Sequence, residues 1–134
     1  MLIPTKILVP TDFSEHSDRA LEQALDIAAQ YGAKVYLVHV LNVIRSDFEE
    51  LVRKEAQENL AKQLRRFPRA KEIGVAAHIR SGITYEEILK EGKENGIDLI
   101  VIASLGQSGI AKYLVGGVAR NVLKGAKCPV LLTK

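Results

Sequence analysis

Apolar positions in this chain follow two rhythms. Lys6-Ile7-Leu8-Val9-Pro10 and Lys34 to Val40 read as short strands, and Leu99-Ile100-Val101-Ile102-Ala103 is an unbroken apolar run rich in β-branched residues without polar alternation. That is the pattern of strands buried on both faces of a parallel sheet. Between them, apolar residues return every three or four positions. Ala20, Leu21, Ala24, Leu25, Ala28 and Tyr31 form one face of a helix that Ser14 or Ser17 can cap and that Gly32 stops. Phe48, Leu51, Val52, Leu60 and Leu64 mark a longer amphipathic helix ending before Pro68. Val75, Ala77 and Ile79 alternate with Ala76, His78 and Arg80, as in a strand nearer a sheet edge, and Gly82 makes the turn out. Thr84-Tyr85-Glu86-Glu87 has capping-box spacing and opens a helix that runs to about Asn95-Gly96, with Ile88 and Leu89 on its buried side. Val118, Ala119, Val122, Leu123 and Ala126 recur at helical spacing with Gly125 near the expected end, and Cys128-Pro129 leads into Val130-Leu131-Leu132.

Strands alternating with helices, β-α-β-α-β-α-β-α-β, imply an α/β fold of three layers, an open parallel sheet with helices on both faces and right-handed crossovers. The pattern leaves the strand order open. In such a sheet the crevice at the carboxyl ends of the strands, where the order reverses, is the default ligand site. The stretch after Ala103 suits that role. Gly106, Gly109, Gly116 and Gly117 punctuate it, and a pair of glycines falls where the last helix starts, where unpartnered amides and the helix dipole favour anions.

At 134 residues the chain reads as one domain, 1–134, able to bury roughly two-thirds of its unfolded surface. No apolar run approaches the ~20 residues of a membrane helix, and Met1-Leu2-Ile3-Pro4-Thr5-Lys6 lacks the basic start and long apolar core of a secretory signal. Cys128 is the single cysteine, so no internal disulfide forms, which fits a reducing cytoplasm. Among apolar neighbours it reads as a packing thiol. The net charge of +3 and a pI near 9.0 owe much to Arg53, Lys54, Lys62, Arg65, Arg66, Arg69 and Lys71. Aromatics make up only 5% and none interleave with these bases, so a solvated helix face is expected rather than a nucleic-acid surface.

Three stretches carry a family resemblance: Val101-Ile102-Ala103-Ser104-Leu105-Gly106, Leu114-Val115-Gly116-Gly117-Val118-Ala119 and Ala126-Lys127-Cys128-Pro129-Val130-Leu131-Leu132. In this order they resemble the C-terminal signature of the universal stress protein family, and Ile7-Leu8-Val9-Pro10-Thr11-Asp12-Phe13-Ser14 is similar to that family's first strand and loop. The resemblance implies a five-stranded parallel sheet in the order 3-2-1-4-5, Rossmann-like and of the adenine nucleotide alpha hydrolase type, with strands one and four adjacent at the reversal. It further implies a cytoplasmic stress-response module that binds ATP or AMP, with Mg accompanying ATP. The nucleotide would lie against Pro10, Thr11, Asp12, Val40, Ile102, Ala103, Gly106, Gly116, Gly117 and Val118, with Asp12 near the adenine and Val40 offering backbone groups to it. Asp12 can equally form an Asx-turn before the first helix, and Val40 can be a packing residue at a strand end. Relatives pair through the last strand, which implies a homodimer through Pro129 to Thr133, an apolar edge that needs covering.

The phosphate loop departs from that family's nucleotide-binding pattern, which is Gly, two residues, Gly, nine residues, then Gly followed by Ser or Thr. The aligned positions are Ala103, Gly106, Gly116 and Gly117. Ala103 adds a methyl group where a backbone approaches the ribose. Gly117 lacks a hydroxyl that would donate to phosphate, a contact of ~1.5–3 kcal/mol or about ten- to hundredfold in affinity. Gln107 and Leu105 stand where many relatives have arginine and histidine. Backbone amides of Gly116, Gly117 and Val118 remain, so AMP is expected to bind nearly as well as ATP. The alternative is a nucleotide-free dimeric interaction protein on the same fold. Ser104 lacks a nucleophile elbow's flanking glycines, and His16, His39 and His78 show no triad or metal spacing. A regulatory module rather than an enzyme is therefore expected, with slow ATP hydrolysis the one activity left open.

Overall fold

The computed structural model describes residues 3–42, 46–105 and 115–134. Its elements run β1 (Lys6–Pro10), α1 (Glu15–Tyr31), β2 (Lys34–Leu41), α2 (Ser46–Arg65), α3 (Arg69–Ile73), β3 (Ala76–Ser81), α4 (Thr84–Glu94), β4 (Leu99–Ala103), α5 (Gly117–Gly125) and β5 (Val130–Thr133). The strands form one parallel sheet in the order β3-β2-β1-β4-β5. Because side chains alternate along a strand, each unbroken apolar run supplies two cores at once. Ile7, Val9, Val35, Leu37, Leu99 and Val101 pack with α1, α2 and α3 on one face, against Leu21, Leu25, Leu60 and Ala70. Leu8, Val38, Val40, Ile100 and Ile102 pack with α4 and α5 on the other, against Ile88, Ala119 and Val122. Each fully buried Leu or Ile contributes roughly 1.5–3 kcal/mol.

Local signals explain most element ends. Ser14 is the cap of α1, extended at φ −77 and ψ 165 with its hydroxyl accepting the Ser17 amide at 3.2 Å, while Gly32 closes the helix at φ 70 with its N–H on the Ala28 carbonyl. The start of β4 is tied to β1 by Asp98, whose carboxylate accepts the Thr5 amide, the Thr5 hydroxyl and the Lys6 amide. Burial raises the Asp98 carboxyl, but these donors outweigh it and hold the group below its ordinary value.

Three of the expectations above need correction, and two gain detail. Thr84 is the first helical residue of α4, not its cap: Gly82 turns at φ 144, Ile83 stands extended ahead of the helix with no side-chain cap, and Glu87 pairs with Arg80 instead of closing a box. Gly125 is the last residue of α5, at the expected helix end. A Cβ there would lie 2.6 Å from a Leu89 methyl, so Gly125 permits the close approach of α4 and α5. α2 ends at Arg65, ahead of Pro68 as expected, and Pro68, at φ −54 and ψ −31, leads directly into the short α3. The apolar periods of α1 and α2 outrun the sheet they cover. Tyr31 is 48% exposed, Phe48 53% and Leu51 67%, whereas Ala56 and Leu60 are buried. The basic stretch is also more than a solvated face: Arg66 meets Asp18 at 2.8 Å and Arg69 meets Asp26 at 2.6 Å, joining the turn after α2 and the start of α3 to α1. Such part-exposed pairs contribute about 0–1 kcal/mol each.

Candidate functional site

β1 and β4 lie side by side, Ile7 opposite Leu99 and Leu8 opposite Ile100, yet the chain leaves them toward opposite halves of the sheet. A gap opens where their carboxyl ends diverge. It is a cleft of about 300 Å³, closed on one side by the start of α4 and on the other by the start of α5.

Pro10, Thr11, Asp12, Val40, Ile102, Ala103, Gly116, Gly117 and Val118 all line this cleft, and Gly106 lies outside the described residues. Ser17, Val38, His39, Thr84, Ile88, Ser104 and Ala119 line it as well. Of these, Val38, Ile88 and Ala119 were legible only as core positions, and nothing near Thr84 in sequence signals that packing brings it to the cleft. The walls are largely apolar. Among the described residues, no lysine or arginine side chain lines them and no group of three or more His, Cys, Asp or Glu gathers as a metal site.

The β1–α1 loop forms the first rim. Thr11 donates its amide to the Val38 carbonyl at 2.8 Å, and its own carbonyl meets His39 Nδ1 at 2.7 Å. Asp12 Oδ1 accepts the Ser14 amide at 3.0 Å and the Ser14 hydroxyl, an Asx-turn, so its carboxylate serves the loop while lining the cleft. Phe13 stands at φ 67 and lays its ring 4.3 Å from that of His39.

The start of α5 forms the second rim. Gly116, at φ −59 and ψ 156, precedes the helix, and its N–H donates to the Ser104 carbonyl at 2.6 Å. This amide is therefore already engaged, contrary to the expectation that it faces a ligand. A Cβ at Gly116 would come within 3.2 Å of the same oxygen, whereas one at Gly117 would meet nothing within 4 Å. The amides of Gly117, Val118 and Ala119 have no intrahelical acceptor, since the helical ladder begins with the Arg120 amide on the Gly116 carbonyl at 2.9 Å. The arrangement offers apolar surface to a flat ring and main-chain donors to an anion.

A second groove of about 670 Å³ runs between α2, β3 and α4, but its polar groups satisfy one another. Buried Glu91 accepts from His78 at 2.6 Å, Asn95 at 2.8 Å and Arg80 at 3.0 Å. Arg80 also reaches Glu94 and Glu87, which hold its guanidinium charged, and both glutamates lie below the ordinary carboxylate range, Glu94 through Arg80 and Glu87 through Lys90 and Arg80. Cys128 is half-buried, and burial followed by the nearby Asp98 carboxylate pushes its thiol up, away from the reactive thiolate.

Comparison with known proteins places these features in context. A family model described as the Universal stress protein family matches residues 4–134. Universal stress protein MJ0531 of Methanocaldococcus jannaschii is 36% identical over 141 residues, covering 96% of this chain and 81% of that protein. The solved structure of MJ0577 from the same organism superposes with a TM-score of 0.83 at 31% identity, covering 99% of this chain and 97% of the other. A universal stress protein in complex with cAMP gives a TM-score of 0.75 at 26% identity, with 99% and 98% covered. One from Archaeoglobus fulgidus in complex with dAMP gives 0.71 at 26% identity, with 99% and 100% covered.

Proposed function

Because the chain belongs to the universal stress protein family, we propose that it is a small regulatory module whose cleft at the β1/β4 reversal takes an adenine nucleotide, ATP or AMP, with Mg accompanying ATP. One observation carries this reading: the nine expected contact residues that are described converge on a single cleft of about 300 Å³, the lower end of the range for small-molecule sites. The cAMP and dAMP complexes of the two structural relatives support the adenine class. In this reading the base lies against Val40 and Ile102 with Asp12 at its edge, and the phosphate faces the Gly117 and Val118 amides at the start of α5. Gly106 belongs to the same proposed set. Main-chain donors contact the nearest phosphate and no described cation awaits the outer ones, so AMP binds nearly as well as ATP. Nucleotide occupancy then changes the surface shown to a protein partner, and the module acts in the cytoplasm without being an enzyme.

The chain pairs with a second copy through Pro129 to Thr133. β5 is an outer strand of the sheet with Leu131 37% exposed, and pairing would satisfy its free edge. The lack of a side-chain hydroxyl at Gly117 favours a second reading, a nucleotide-free dimeric interaction protein.

Denaturing the purified protein and analysing the supernatant by absorbance and chromatography separates the two, and calorimetric titration with AMP and ATP then gives affinities. Adenine nucleotide binding in the micromolar to millimolar range supports the first reading; no binding of either nucleotide refutes it. ATP binding at least a hundredfold tighter than AMP contradicts the phosphate contacts assigned above.

A further inference from the structure

The Asp12 rim of the cleft is a strained loop held from a distance. Phe13 adopts φ 67, which a bulky residue with a Cβ rarely takes, and such a conformation persists only where surrounding contacts over-determine it. One of those contacts is its own N–H, which donates to the Thr11 hydroxyl oxygen at 3.0 Å. That hydroxyl lies 2.9 Å from Oε1 of Gln63 in α2, 52 positions away in sequence and fully buried, and 3.0 Å from the Ser17 hydroxyl oxygen. The Gln63 amide has one consistent orientation. Its Nε2 donates to Asp18 Oδ1 at 2.9 Å, and Arg66 clamps the same carboxylate at 2.8 and 2.9 Å. Oε1 is therefore turned to Thr11 and accepts its hydroxyl proton at 2.9 Å. With that proton committed, the Thr11 oxygen is left as the acceptor that Phe13 requires, while Ser17 donates to the Ser14 carbonyl at 2.9 Å. Among the described residues no α2 residue lines the cleft, so α2 reaches it through intermediaries, and this relay is its hydrogen-bonded route.

We propose that Gln63 is a positioning residue for the nucleotide cleft: through the Thr11 hydroxyl it holds Phe13 in its left-handed conformation and thereby keeps the Asx-turn of Asp12 at the cleft rim. The proposal rests on the nucleotide reading given above, and it makes α2 a place from which a bound partner could alter ligand affinity.

The test uses Gln63→Leu, Thr11→Val and the double variant, each followed by three measurements: AMP affinity by calorimetry, thermal midpoint, and amide exchange at Phe13 and Ser14 in the ligand-free protein. Each single change leaves a buried polar group without its partner and lowers the midpoint, whereas the double change removes the Thr11–Gln63 mismatch and recovers part of it, the Phe13 N–H still lacking its acceptor and Asp18 its Gln63 donor. If Gln63 positions the loop, AMP binding stays about tenfold weaker in Gln63→Leu and in the double variant, ~1.4 kcal/mol, and exchange at Phe13 and Ser14 speeds up in both. A double variant that regains wild-type affinity along with its midpoint shows a structural role alone and overturns the proposal. If the wild-type chain takes up no adenine nucleotide, it is the reading of the cleft that fails. Gln63 is then judged by exchange, and unchanged protection at Phe13 and Ser14 in Gln63→Leu overturns its part.

Discussion

Gly117→Ser adds one hydroxyl at the first position of α5, and the surroundings allow its effect to be isolated. A Cβ there meets nothing within 4 Å, so the change carries no packing cost, and serine in place of glycine at a helix start is at worst neutral for the helix. What remains is a donor placed beside the free Gly117 and Val118 amides. A hydrogen bond to a charged phosphate contributes ~1.5–3 kcal/mol, which corresponds to a gain of about ten- to hundredfold in affinity. Calorimetric titration of wild type and variant with AMP, ATP and adenosine reads this directly. AMP and ATP should both tighten by that factor, while adenosine, which has no phosphate, should be unchanged. Gly116→Ser is the contrasting control, because its Cβ would press within 3.2 Å of the Ser104 carbonyl and its amide is already engaged. Unchanged affinity for both nucleotides would remove the phosphate from the start of α5. An equal gain for adenosine would show that the new hydroxyl meets the sugar or base instead, and an equal gain from Gly116→Ser would show that the Gly117 geometry is not what matters.

Further predictions concern the fold and the assembly. Gly82→Ala forces a side chain onto φ 144 and against the Glu87 side chain at 3.0 Å, so chemical denaturation should show a loss of about 1–3 kcal/mol; wild-type stability would refute the strain. Asp98→Asn removes a carboxylate whose folded value is depressed. The stability it contributes is present above the ordinary aspartate value near ~3.9 and is lost as pH falls through the lower folded value. Wild type and variant should therefore differ by a constant amount at neutral pH and converge under acid, and a gap that widens under acid would refute this. Glu91→Ala leaves His78, Asn95 and Arg80 short of an acceptor and should cost ~1–3 kcal/mol, read by the same denaturation assay. Leu131→Glu places a charge on the outer strand and should shift the proposed dimer toward monomer in sedimentation; a dimer unchanged by it would move the interface away from β5, and a monomeric wild type would refute the pairing.

The sequence alone determined which stretches become strands and which helices, because buried runs and amphipathic periods are local patterns set by covalent geometry. It determined the stop at Gly32 for the same reason and narrowed the cap to Ser14 or Ser17, and the family resemblance of Ile7 to Ser14, Val101 to Gly106, Leu114 to Ala119 and Ala126 to Leu132 implied the strand order that periodicity left open. Only tertiary structure decided how far each helix face is covered, which is why Tyr31, Phe48 and Leu51 read as core and stand exposed. It also decided that Gly125 serves contact with Leu89, that Gly116 spends its amide on Ser104, and that Thr84 and His39 reach the cleft. Gln63 is the clearest case. Nothing around it in the chain marks it, because its partners Thr11 and Asp18 lie 52 and 45 positions away, and a buried amide has a role only once packing has excluded water and chosen which groups must satisfy it.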